Sequence, residues 1–310
     1  MGSSLEKESK ISKTSVLTEA EKEQFIQHGW VKIEGAFTEE QAAWVTQDVW
    51  TRLGMAPDNK STWNQERVHM PGHRTFDCAK LAPRAWAAIC EICGGEDKVR
   101  PESRYWQDSL IVNLGTVENE GKPVPPQQLY GWHVDGDFFV HYLDSAEQGL
   151  LVIPLFTDIV PDGGGTVICP EAMPKVAAWL HDHPEGVNPR MIPRGEPGFE
   201  KEGPTDWFNS MARSCTNFVE AGGKCGDVYL LHPLMLHSAS TNPLRRKGQT
   251  LYSGGARNVK SPRKGKPTKL EDHCAKGDGG TRESAQAGEN EGGRTGTSAK
   301  GYSGHRCMRT

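Results

Sequence analysis

No run in this sequence approaches the roughly 18 consecutive apolar residues of a membrane-crossing helix, so no transmembrane span is expected. A strong charge of one sign is missing too. With 36 Lys and Arg against 40 Asp and Glu, the formal net charge is -4, which argues against nucleic acid or a membrane surface as a general partner. The opening segment MGSSLEKESKISKTSV lacks the apolar core of a secretory signal, and the closing MRT is no peroxisomal address, so the cytoplasm is the expected compartment. The eight cysteines are scattered rather than framed in pairs, and read as reduced thiols. Cys90 and Cys93 form one C-x-x-C without a second pair or a preceding strand, which points to buried cysteines of a helix. Between Leu270 and Met308 there is no Leu, Ile, Val, Phe, Trp or Met. Such a segment cannot offset its ordering entropy by burial, so residues 259–310 are expected to form a disordered tail, as are residues 1–16 at the other end. The basic run KSPRKGKPTK at its start reads as a solvated linker.

What is present suffices for one large domain, expected over residues 17–258. Thr18 with Glu21, and Thr38 with Gln41, have capping-box spacing and predict two helices. Gly29 should end the first before a strand over WVKI, and EEQAAWVTQDVWTRLG should form the second. Residues 17–104 are thus expected to be the helical part. From about Tyr105 short apolar runs alternate with turn residues: DSLIVNLG, GWHVDGDFF, GLLVIPLFTDI, GGGTVICP, GDVYLLHPLMLHSAS and QTLYSGG. These read as strands of a barrel or sandwich over 105–258. PKVAAWLHDHPEGV interrupts them as one helix before a long Pro- and Gly-rich connection.

Charged residues inside an apolar run are costly to bury unless something pairs with them, and a metal ion satisfies His and Asp together. His133 and Asp135, two residues apart in GWHVDGDFF, would share one face of a strand. A third ligand must come from elsewhere. GDVYLLHPLMLHSAS offers His232 and His237; His232 precedes a proline and, five residues before His237, would face the other way on a regular strand. Two histidines and one carboxylate make the facial triad of non-haem Fe(II) oxygenases, which leaves positions open for cosubstrate and oxygen. Gly136 suggests a bulge or turn, so Asp137 reads as a residue behind the ligands or facing solvent, and His181 and His183 read as surface histidines.

The stretches LTEAEKEQFIQHGWVKIEGAFTEEQ, WHVD, PDGGGTVICPEA and GDVYLLHPLMLHSASTNPLRR together resemble the phytanoyl-CoA dioxygenase family of Fe(II)- and 2-oxoglutarate-dependent oxygenases, over roughly Leu17 to Gly255. The resemblance implies a mainly β fold with flanking helices, built on a double-stranded β-helix (jelly roll, cupin-like) core. It implies Fe(II), 2-oxoglutarate and O2 as cofactors and a small molecule as substrate. His133, Asp135 and His237 match the family's iron ligands. Arg246 or Arg245 matches the arginine that clamps the far carboxylate of 2-oxoglutarate, with Arg246 closer to the strand QTLYSGG. Asn113 falls where relatives place a polar residue against the 2-oxoglutarate carboxylates, although a cross-strand hydrogen-bonding role suits it as well. Where relatives often carry a serine two positions after the last histidine, this chain has Ala239. Halogenating relatives lack the carboxylate that Asp135 supplies, so the implied reaction is hydroxylation or desaturation. Two other readings fit the same residues: a metal-free or inactive jelly-roll binding protein, and a cupin-type metalloenzyme that does not use 2-oxoglutarate.

Overall fold

Thr18 and Thr38 both cap helices as their spacing predicts. In the computed structural model, which describes residues 15–246 apart from 146, 148 and 202–205, together with the backbone of Leu251–Tyr252, α1 (Glu19–His28) starts from a closed capping box at Thr18. Gly29, at φ 71, ends it in a left-handed turn and feeds β1 (Trp30–Ile33). α2 (Glu39–Thr46) starts from the second box, with Ala42 and Val45 buried. The expected single helix to Gly54 is broken, and α3 (Val49–Leu53) follows separately. The break has a tertiary cause: the Arg74 guanidinium takes the carbonyls of Trp44 and Val45, which a continuous helix would offer to N–H groups four residues on.

The N-terminal part is less purely helical than expected. β2 (Arg67–His69) and β3 (Thr75–Asp77) precede α4 (Cys78–Leu81) and α5 (Pro83–Ile92). β4 (Tyr105–Gln107) and β5 (Ile111–Asn113) open the strand-rich part, followed by β6 (Leu151–Pro154), β7 (Thr166–Cys169) and α6 (Met173–Asp182). α7 (Trp207–Arg213) lies in what reads from sequence as an irregular connection. β8 (Val219–Glu220), β9 (Val228–Leu231), β10 (Leu236–Ala239) and β11 (Leu251–Tyr252) complete the strands.

Among the described residues all pairing is antiparallel, in sheets ordered β1-β9-β6, β10-β7-β8, β11-β5-β2 and β3-β4, so the architecture mixes helices with antiparallel sheet. Strand periodicity distributes the core. Leu151, Ile153, Tyr229 and Leu231 meet Ile168 in one buried cluster, so the first two sheets face each other. Their alternates point outward to helices: Val152, Val228 and Leu230 pack with Val45, Trp86 and Ile89 of α2 and α5, while Val167, Cys169 and Leu236 pack with Val176 of α6 and Phe208 of α7. Strands covered on both faces read as unbroken apolar runs, which is why LLVIP and VYLL were legible.

Three expectations need correction or restriction. The segment GWHVDGDFF is not a strand; His133 makes only an isolated bridge with His237, and Gly131 (φ 98) and Gly136 (φ 116) turn the chain. At Gly136 a Cβ would collide with the Phe139 ring. Ser15 and Val16, expected in the disordered N-terminus, are held by the Glu91 carboxylate, which accepts from the Ser15 hydroxyl and from the backbone N–H groups of Val16 and Leu17. The tail 259–310 lies outside the described residues. Among the described residues, no helix is long and apolar enough to cross a membrane.

Candidate metal centre

A backbone bridge brings the two distant histidines together. His133 and His237 exchange two N–H···O bonds of 3.0 Å, which sets their rings 4.3 Å apart at the end of β10. Each ring is then aimed by its other nitrogen. His133 Nδ1 lies 2.8 Å from Gly131 O, and His237 Nδ1 lies 3.0 Å from Met235 O. A carbonyl can only accept, so each Nδ1 carries the proton, and the neutral ring presents an Nε2 lone pair. Both Nε2 atoms converge on Asp135 Oδ1, at 3.4 Å each. One ligand atom from each of His133, Asp135 and His237 falls within 4.8 Å of the other two. Two imidazole nitrogens and a carboxylate oxygen, oriented by backbone acceptors, fit a divalent first-row metal.

The electrostatics of the metal-free site agree with that geometry. Burial disfavours the Asp135 carboxylate, yet the two imidazoles beside it outweigh burial and hold its pKa well below the usual carboxylate range. Burial likewise works against a charge on His133, but the Asp135 carboxylate and Gly131 O raise its pKa above the ordinary value. The three side chains line a cavity of about 150 Å³, with Arg67, His69, Ile111, Tyr130, Thr166, Ser238 and Ala239 among its walls. Burial, then the Arg67 cation and, when it is protonated, His133, lower the pKa of His69.

The remaining candidates lie elsewhere. His232 sits in the turn between β9 and β10, where its Nδ1 accepts from Leu234 N at 3.1 Å. Asp137 is exposed in the turn after Gly136. His141 is 2% exposed, with Nε2 2.7 Å from Gly136 O, and burial pushes its pKa down to about 4. Asn113 is fully buried; its Nδ2 donates to Gly164 O and Ser240 O, both at 2.9 Å, and it does not line the cavity. Arg245, 3% exposed, pairs with Glu120 at 3.2 Å, donates to Leu114 O and covers the Trp63 ring. Arg246 is exposed and is not among the cavity residues. Asn242 explains both placements: its Oδ1 accepts from Arg245 N, and Arg245, at φ 44, turns the chain away from the pocket.

Sequence reading missed Arg67 and His69, because RVH is too short for a period to show. It also missed Asn209. From α7, buried at 3% exposure, Asn209 Oδ1 accepts from Gly131 N (3.1 Å) and Trp132 N (3.2 Å), which fixes the turn that aims His133. Asn209→Ala is expected to weaken metal binding about 10–100-fold and to destabilise the fold by about 1–3 kcal/mol, with Asn209→Asp recovering most of both because it keeps an acceptor. Metal titration followed by thermal unfolding of the two variants checks this.

No protein-family model matches the chain, and no curated protein sequence matches it. Solved structures do resemble it. A hypothetical protein of Escherichia coli is 15% identical over 76% of this chain and 66% of that chain, with a TM-score of 0.45, so this chain spans just under two thirds of it. The epimerase SnoN in complex with Fe3+, alpha ketoglutarate and nogalamycin RO is 17% identical over 76% of this chain and 80% of that one, with a TM-score of 0.40. EctD from S. alaskensis with 2-oxoglutarate and 5-hydroxyectoine is 13% identical over 84% and 88%, with a TM-score of 0.41. At these scores the likeness carries no argument about chemistry, which has to come from the residues themselves.

Proposed function

We propose that the chain is a mononuclear Fe(II)- and 2-oxoglutarate-dependent oxygenase of the phytanoyl-CoA dioxygenase type, on a double-stranded β-helix, acting on a small organic molecule. One observation carries this reading: two Nε2 lone pairs and a carboxylate oxygen converge at the wall of a cavity, with both Nδ1 protons tied to backbone carbonyls. His133, Asp135 and His237 would hold the metal. When bound, iron with 2-oxoglutarate and O2 would supply oxidative decarboxylation to succinate and CO2 and the oxidation of a substrate C–H bond.

The chain's own residues do the positioning. Gly131 O and Met235 O keep the imidazoles in the ligating tautomer, Asp135 stays ionised, and Leu151, Ile153 and Ile111 give the cavity an apolar wall that limits water. Neither Arg245 nor Arg246 lines that cavity, and this favours a second reading, a metal site that works without 2-oxoglutarate. Iron-loaded protein incubated with 2-oxoglutarate and O2 separates the two. Succinate release that depends on His237 is the expected result; metal binding without any consumption of 2-oxoglutarate would select the second reading.

A further inference from the structure

Most arginines built into the N-terminal half of this fold have a carboxylate partner. Arg52 and Arg74 share Asp108, Arg84 pairs with Glu21, and Arg104 with Asp77. Arg67 is different. Among the described residues no carboxylate lies within ion-pair distance of its guanidinium, Nε is buried without a hydrogen-bond partner, and Nη2 reaches only Ser240 O at 3.3 Å. A buried guanidinium N–H left unpaired costs free energy, so an arginine kept in this state calls for an acceptor from outside the chain. The place for that acceptor is defined. β2 pairs with β5 in the register Arg67↔Asn113 and His69↔Ile111, so Arg67, His69 and Ile111 share one face of the sheet, and all three line the cavity of the triad.

We propose that Arg67, on the short strand β2, is the carboxylate receptor of this cavity and takes the distal carboxylate of 2-oxoglutarate, in place of Arg245 or Arg246. The inference rests on the reading of the triad as the metal centre of a 2-oxoglutarate enzyme. Arg67 rests against Ser240 O, just beyond the strand that carries His237, and its side chain and the triad line the same cavity. A cavity with a metal-binding triad and a guanidinium on its wall suits a 2-oxo diacid, which has a group for each, better than a 2-oxo acid with no second carboxylate. The same guanidinium could instead receive a carboxylate of the substrate, and the experiment separates the two sources.

Full-length wild type, Arg67→Gln, Arg67→Lys and Arg246→Gln are loaded with Mn(II), which binds the same donor set without turnover. Metal content is measured, and each protein is titrated by calorimetry with 2-oxoglutarate and, separately, with pyruvate, which lacks the distal carboxylate. The expected result is a loss of at least about thirtyfold in 2-oxoglutarate affinity in Arg67→Gln, with unchanged metal content and unchanged pyruvate affinity. Arg67→Lys should recover part of the loss, because a point charge cannot reproduce the planar fork. Arg246→Gln should stay within about threefold of wild type. Unchanged 2-oxoglutarate affinity in Arg67→Gln overturns the proposal, and would leave the substrate as the one source of a carboxylate for this residue. An equal loss for pyruvate overturns it too, since the effect would then be general damage to the site. A wild type that takes up metal but no 2-oxoglutarate sinks this proposal and selects the second reading above; a wild type that takes up no metal sinks the oxygenase reading itself.

Discussion

Asp135→Ala protein is expected to bind Fe(II) or Mn(II) at least about a hundredfold more weakly than wild type, with the fold intact and with succinate production falling below detection. The magnitude follows from a comparison of roles. Groups that merely orient metal ligands cost 10–100-fold when removed, and Asp135 is the one anionic donor of the three. The fold should survive because Asp135 lies in a turn, outside every strand and helix. Equilibrium dialysis against metal, with circular dichroism of the same samples, reads both halves; metal affinity within tenfold of wild type would remove Asp135 from the ligand set.

The same site predicts a pH dependence with a definite sign. Asp135 raises the pKa of His133, so the proton on His133 competes with metal until the pH passes that raised value. Apparent metal affinity should therefore rise with pH by about tenfold per unit below it, and level off above. In the metal-free protein the pair stabilises the fold in a window. The His133 contribution is complete below its unfolded pKa and fades as pH rises through the raised folded value; the Asp135 contribution is present above its unfolded pKa and fades as pH falls through the depressed one. Asp135→Ala should move the His133 titration downward, which proton NMR of the imidazole reads directly.

How much of this was legible in the sequence depends on the range of the interaction. Local rules carried the capping boxes at Thr18 and Thr38, the Gly29 stop and the apolar strands, because each is decided within a few residues. The helix break after Thr46 was not legible, since its cause is Arg74, nearly 30 residues away. The spacing of His133 and Asp135 reads as one face of a strand, yet the structure brings them to His237 by a turn and a single backbone bridge. Residue types were enough to nominate them; the convergence depends on Gly131, Gly136 and Asn209, none of which stands out in the sequence as part of a metal site. Arg245 and Arg246 show the converse: the family resemblance nominates both, and a turn at Asn242 carries them away.

The largest effect on stability is expected at Asp108, a residue with no part in the chemistry. Its carboxylate is fully buried between β4 and β5 and accepts from His73 N at 2.6 Å, Arg74 N at 2.9 Å, Arg74 Nε at 3.2 Å and Arg52 Nη1 at 3.1 Å. Burial works against this charge, but the Arg74 and His73 backbone N–H groups and the two guanidinium groups outweigh it and hold the pKa below the ordinary value. Asp108→Ala would leave two arginines facing each other around an empty acceptor, and breaking a buried pair from one side costs about 3–5 kcal/mol. For a domain of this size that corresponds to a fall of about 6–20 °C in Tm. The sign with pH is fixed by the depressed pKa: the Asp108 contribution is present above its unfolded value near 3.9 and is lost as pH falls through the lower folded value, so wild type and Asp108→Asn should converge in strongly acidic buffer. Convergence at neutral pH instead would mean that the pair is solvated and worth little. The consequence reaches the site. Arg52 also holds Pro71 O, and with Asp108 it fixes the chain between β2 and β3, so the strand that carries Arg67 and His69 into the cavity is anchored by this ion cluster. On the proposed roles of Arg67 and of the triad, Asp108→Asn assayed below its Tm should therefore weaken 2-oxoglutarate binding while leaving metal affinity close to wild type.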